Sequence, residues 1–117
     1  MNQDIKESDW KVFRQIHPIA LERYFQHAVA GLVRIAGNDR KTNRERFWDV
    51  CDRAKKEQKE VADLFDDYRR STARLKLAVM RREGWVREEE MSRFSPELQG
   101  WVKGLLELSN PKKTSSE

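Results

Sequence analysis

The stretch that decides the fold is Asn43–Glu83, NRERFWDVCDRAKKEQKEVADLFDDYRRSTARLKLAVMRRE. Phe47, Cys51, Ala54, Gln58, Val61, Phe65, Tyr68, Thr72, Leu75 and Val79 recur in it at alternating steps of 4 and 3 residues. All but Gln58 and Thr72 are apolar or aromatic. A mean step of 3.5 residues belongs to a helix that presents one narrow seam to a partner. A seam that never slips predicts one continuous helix, about 60 Å long at 1.5 Å per residue.

The ends of this helix carry their own signals. Thr42 and Glu45 have the spacing of a capping box, in which each side chain accepts a hydrogen bond from a free backbone N–H of the other residue. Gly84 suits the left-handed position after the last turn, which makes Trp85 and Met80 the apolar pair of a Schellman motif. Ser71-Thr72 offers an internal restart, but Arg74 stands where a capping box needs Glu or Gln, so continuity is expected. A compact domain of this size is only about 35 Å across. The helix must therefore bend or break near Tyr68–Thr72, or carry its seam beyond the core to a partner.

Its composition is uneven. Ala73–Met80 has apolar residues on several faces, as the centre of a core requires. Lys55–Glu60 reads KKEQKE, a solvated stretch. Asp49–Arg53, Asp52–Lys56 and Asp66–Arg70 place an acid four residues ahead of a base and are expected to pair on the exposed faces.

Outward from this helix, Ser8 or Asp9 can cap an N-terminal helix bearing Trp10, Phe13 and Ile16. Pro18 should kink or restart it. Leu21, Phe25, Ala28, Leu32 and Ile35 then share one face up to Gly37, and the short loop Asn38–Lys41 predicts an antiparallel return. Beyond Gly84, a short helix is expected over Arg87–Arg93. A last one opens on Ser95-Pro96 and carries Leu98, Trp101, Val102, Leu105 and Leu108. The predicted fold is all-α, an antiparallel helical bundle organised on one long central helix (about 43–83), with a kinked N-terminal helix and two shorter C-terminal helices. Residues 1–7 are expected to fray, 8–108 to form a single helical domain, and 109–117 to be a disordered polar tail.

Composition agrees with thin amphipathic layers: the 117 residues are 38% hydrophobic and 38% charged. The net charge of +4 is a small excess of bases, which permits nucleic-acid binding without implying it. The lone Cys51 excludes an internal disulfide and fits a reducing compartment, so a cytoplasmic protein is expected. The most apolar segment, Pro18–Ala36, contains Glu22, Arg23 and Arg34, which argues against a membrane span.

Three chemistries compete with ordinary surface and core roles. Glu57, Glu60, Asp63 and Asp67 spell ExxE and ExxD, the carboxylate pairs with which all-α nucleotide pyrophosphohydrolases hold magnesium. Those pairs lie on separate helices and converge, whereas here they overlap on one helix and share Glu60. His17, His27 and Cys51 have no ligand-like spacing. Arg34, Arg40, Lys41, Arg44 and Arg46 cluster at the first turn. Arg69, Arg70, Arg74, Arg81 and Arg82 form a second cluster that could track phosphates, with no nucleic-acid-binding motif beside it.

The expected function is thus a non-enzymatic helical interaction or adaptor module without cofactor, metal or small-molecule substrate. It should self-associate as a homodimer, or dock another helical protein, through Phe47, Trp48, Ala54, Val61, Phe65 and Tyr68, with Trp101 in the Gly100-x-x-x-Gly104 segment as a second patch. The runner-up is a nucleic-acid-associated protein using the arginine face, and a metal-dependent nucleotide hydrolase comes third.

Overall fold

A computed structural model describes residues 4–66 and 68–108 and shows an all-α protein, with no strand among the described residues. The helices are α1 (Glu7–Ala36), α2 (Asn43–Val61), α3 (Arg70–Arg82), α4 (Glu88–Met91) and α5 (Pro96–Leu108), with a π-helical turn at Ala62–Asp66 between α2 and α3. The expected fraying of residues 1–3 and the polar tail at 109–117 lie outside the described residues.

The continuous central helix is not formed. The α-helical ladder ends at Val61, widens into the π turn, and is broken at Tyr68 and Arg69 before α3 begins. Arg69 has extended backbone (φ −134°, ψ 148°) and its side chain caps nothing. The turn is closed instead by the Thr72 N–H and hydroxyl, each donating to the Arg69 carbonyl at 3.2 Å. The break also changes the buried phase. In α3 the inward residues are Ala73, Leu77, Ala78 and Met80, while Leu75 of the expected seam is 56% exposed.

Pro18 does not end α1, which continues through it as one helix. Its missing N–H leaves the carbonyl four residues earlier, on exposed Arg14, available to water. The chain is ordered from further upstream than expected, because Ile5 is buried and its carbonyl accepts from Arg70 Nε at 2.8 Å.

Packing divides the chain into two compact units. One comprises residues 1–20 and 68–117. Its core is Phe13, Ile16 and Ala20 from α1 with Leu77 and Met80 from α3, closed by Val86, Met91, Phe94, Leu98 and Val102. The α3 terminus forms as its sequence requires: Gly84 takes φ +90°, and the Trp85 N–H donates to the Met80 carbonyl at 2.8 Å. Ser95 caps α5 by accepting from the Leu98 N–H at 3.2 Å. The preceding helix, α4, is a single turn, shorter than the expected 87–93.

The other unit, residues 21–67, is a hairpin of α1 and α2. Tyr24 bonds Glu57, Gly31 lies against the Arg53 side chain, and Ile35 and Gly37 line one cleft with Asp49, so contacts run in opposite senses along the two helices. The Thr42–Glu45 capping box is made in both directions, at 2.9 and 3.1 Å.

Candidate functional site

The hairpin has little interior. Its buried side chains are Tyr24 and Ala28 of α1 and Leu64 and Phe65 of the π turn. None of the residues of α2, all of them described, is buried. A 19-residue helix with an apolar stripe normally owes its stability to covering that stripe. Tyr24 joins the two helices. Its hydroxyl donates to Glu57 Oε1 at 2.6 Å and to the Glu57 carbonyl at 3.1 Å, and its ring packs on Phe65 at 5.7 Å between centroids. Arg53 Nε donates to the other Glu57 oxygen at 3.0 Å.

Two opposed pH limits result from this bond. Burial pushes the Glu57 carboxyl up, but the Tyr24 hydroxyl and Arg53 outweigh it and hold the group below its usual 4.5. Folding thus favours the carboxylate, and this stability is present above about pH 4.5 and lost as pH falls through the folded value. Burial, then the bond to Glu57, raises the Tyr24 hydroxyl above its usual 10. That contribution is complete below pH 10 and fades as pH rises towards the folded value. Amide exchange across residues 24–35 and 50–61 should therefore show greatest protection between about pH 5 and 9. In Tyr24→Phe the alkaline loss should vanish and the acid loss should shrink, because burial is then opposed by Arg53 without the Tyr24 hydroxyl. An acid limb unmoved by this substitution would contradict the assignment of Tyr24 as a donor to the carboxylate.

Helical periodicity sorts the remaining hairpin surface. Measured from Tyr24 as the inward direction, Leu32, Phe25, Ala36, Val29 and Val33 follow at about 80°, 100°, 120°, 140° and 180°. Measured from Glu57, Phe47, Cys51 and Trp48 of α2 follow at about 80°, 120° and 180°. Because the helices run in opposite directions, the same sense of rotation places Leu32, Phe25, Ala36 and Val29 of α1 and Phe47 and Cys51 of α2 on one flank of the hairpin, with Gln58 and Arg44 of α2 at about 100° and 140°, while Val33 and Trp48 point outward from opposite edges. On that flank Phe25, Val29 and Phe47 are between 42% and 60% exposed, and Phe47 packs edge to face on Trp48 at 5.1 Å. Arg23, His27 and Arg34 of α1 and Asp49, Arg53, Lys56 and Glu60 of α2 fall on the other flank by the same count. Asp49 pairs there with Lys41 at 2.6 Å, and the i, i+4 pair that forms on α2 is Arg53–Glu57 in place of the expected Asp49–Arg53.

The sequence-derived site is only partly assembled. Phe47 lies on the open flank and Trp48 at the outer edge of α2, while Ala54 and Val61 are half-buried. Phe65 is buried in the hairpin core and is unavailable for docking. Tyr68 belongs to the other unit, in an aromatic cluster with Trp10, Phe13 and His17. Trp101 is half-buried there beneath the Arg74 guanidinium, 4.2 Å from the ring centroid. Periodicity missed Val29 and Val33, because Tyr24 rather than Phe25 sets the inward face of α1. The signal available was width: apolar residues from Leu21 to Val33 span a broader arc than one neighbouring helix covers.

The arginine face is largely engaged within the fold. Arg70 donates to the Ile5 carbonyl and pairs with Glu7, Arg81 donates to the Val86 carbonyl at 3.0 Å, and Arg82 pairs with Glu83. Arg69 also has an intramolecular interaction. The carboxylates Glu57, Glu60 and Asp63 form no metal-binding group, and no set of three or more metal-ligating side chains converges among the described residues. Asp67 lies outside them. None of the described helices is long and apolar enough to cross a membrane. Compared with known proteins, the chain matches no family model, no curated protein and no solved structure.

Proposed function

We propose that this chain is a non-enzymatic helical interaction module that docks a helical partner on the apolar flank of the α1–α2 hairpin. The observation that carries the reading is α2, a full-length amphipathic helix with no buried residue, whose exposed Phe47 shares a flank with exposed Phe25 and Val29 of α1. The hairpin is amphipathic as a unit, with one flank apolar and the other charged. That is the half-core of a two-layer helical assembly. Phe25, Val29 and Phe47 have the character of interface anchors, namely exposed aromatic and branched side chains.

Val29→Glu combined with Phe47→Glu tests this reading in extracts of the native cell. Both side chains are already exposed, so helicity should persist. The wild-type chain should elute in a species larger than its own 14.0 kDa, and the double variant should shift to the free chain. Identical elution of the two proteins would remove the docking role of this flank.

A further inference from the structure

We propose that Arg34 and Arg53 form a binding site for a phosphate group on the charged flank of the hairpin, over the bare backbone of Gly31. The site lies on the opposite side from the docking flank and does not depend on it.

Side chains on a helix lean towards its N-terminus. Because α1 and α2 run in opposite directions, Arg34 and Arg53 lean towards each other and their guanidinium groups meet beside Gly31. A Cβ added at Gly31 would lie 3.8 Å from Arg34 Nη2 and 3.5 Å from Arg53 Nη2, so the two nitrogens are no more than about 7.3 Å apart. A charge-assisted N–H···O bond is about 2.8 Å long. One phosphate oxygen therefore joins nitrogens up to roughly 5.6 Å apart, and two oxygens of the same group reach across a wider gap. Gly31 is buried and puts no side chain into the space between the two arginines.

The fold thus draws two like charges together without an acid for each. Arg53 gives its Nε to Glu57 Oε2 at 3.0 Å, while its Nη2 stays on the Gly31 side. Arg34 has no hydrogen bond or ion pair among the described residues. The neighbouring carboxylates are already met, Asp49 by Lys41 at 2.6 Å and Glu57 by Tyr24 and Arg53. Nor does Arg34 serve the carbonyl end of α1, where a positive charge is favoured, because its Nη2 lies back beside Gly31. A phosphate brings enough negative charge and enough acceptor oxygens to satisfy both guanidinium groups at once, and the planar fork of arginine matches its geometry. The same oxygens are offered by a free phosphate compound and by the backbone of a nucleic acid.

The test titrates the purified full chain at low salt with inorganic pyrophosphate and, separately, with a single-stranded oligonucleotide. Affinity is read by calorimetry, and the arginine Nε–Hε resonances locate the site. The Arg34 and Arg53 signals should move most. Arg34→Gln should weaken binding at least about tenfold, as expected for loss of a charge-assisted hydrogen bond. Arg34→Lys keeps the charge without the fork and should also bind more weakly. Arg40→Gln removes the same charge from the exposed loop and should change affinity less than about twofold. An oligonucleotide that binds more tightly than pyrophosphate, with the same dependence on Arg34, assigns the site to a nucleic-acid backbone. Pyrophosphate binding at least as tightly assigns it to a free phosphate compound. Equal losses in Arg34→Gln and Arg40→Gln overturn the site in favour of diffuse attraction to the basic turn. Binding of neither probe at several millimolar overturns it outright.

Discussion

Tyr24→Ala is expected to cost the hairpin about 4 kcal/mol, the range for deleting a fully buried aromatic side chain. Tyr24 is 1% exposed, and it reaches both Phe65 and α2. The other buried side chains of the unit are Ala28, Leu64 and Phe65, so Tyr24 is a large part of a small core. Tyr24→Phe keeps the ring and removes a hydrogen bond to a carboxylate, which should cost about 2 kcal/mol. Opening free energies from amide exchange at residues 24–35 and 50–61 measure both. The order matters as much as the size. If the two substitutions cost the same, the hydroxyl is the whole contribution and the ring is not a core element. A loss below about 2 kcal/mol for the alanine variant would mean that α2 is held to α1 by something other than Tyr24.

Much of this architecture was legible because it rests on local chemistry. The Thr42–Glu45 box, the left-handed Gly84 with its Trp85–Met80 bond, and the Ser95 cap each depend on residues within a few positions of one another. A residue type at a fixed spacing was enough to place them. The break between α2 and α3 had no such signal. Its cap residue is Arg69, whose side chain makes no cap bond, and the bonds that close the turn come from Thr72, whose place in the apolar series suggested continuity.

The seam itself was real as a pattern and misleading as a structure. Periodicity counts residues and assumes a constant turn, whereas the π turn at Ala62–Asp66 departs from that spacing and the helix is interrupted at Tyr68 and Arg69. Phe65 keeps its inward place in the hairpin, yet Leu75 emerges exposed and Ala73, Leu77 and Met80 take the core. The candidate site suffered from a related ambiguity. The apolar arc of α1 fits two inward directions, one through Phe25 and one through Tyr24. The choice is made by Glu57, a polar residue 33 positions away that bonds the Tyr24 hydroxyl. Sequence patterning ranks apolar stripes and does not see that one buried hydroxyl must find an acceptor.

Asp9 makes the same point in the other unit, and its removal should be among the most costly single changes there. The sequence offered it as a helix cap, but it lies within the first turn of α1, is 3% exposed, and faces Ser95. The Ser95 N–H donates to Oδ1 and the Ser95 hydroxyl to Oδ2, each at 2.7 Å. That hydroxyl in turn accepts from the Leu98 N–H, so one carboxylate fixes the residue that starts α5. Asp9→Ala removes two charge-assisted hydrogen bonds and leaves the Ser95 N–H without its acceptor, a loss of about 3 kcal/mol. Asp9→Asn keeps an acceptor for the N–H and a donor towards the hydroxyl, and should cost about 1 kcal/mol. Ser95→Ala removes both the hydroxyl bond and the cap of α5, costing between about 1 and 2 kcal/mol. Urea unfolding of the four proteins in the Asp9→Ala and Ser95→Ala cycle separates the terms. The pair should couple by at least about 1 kcal/mol, because the two residues share a bond that either substitution removes. Additive losses would show that Asp9 acts on α1 alone, through the partial positive charge of its N-terminus, and does not position α5.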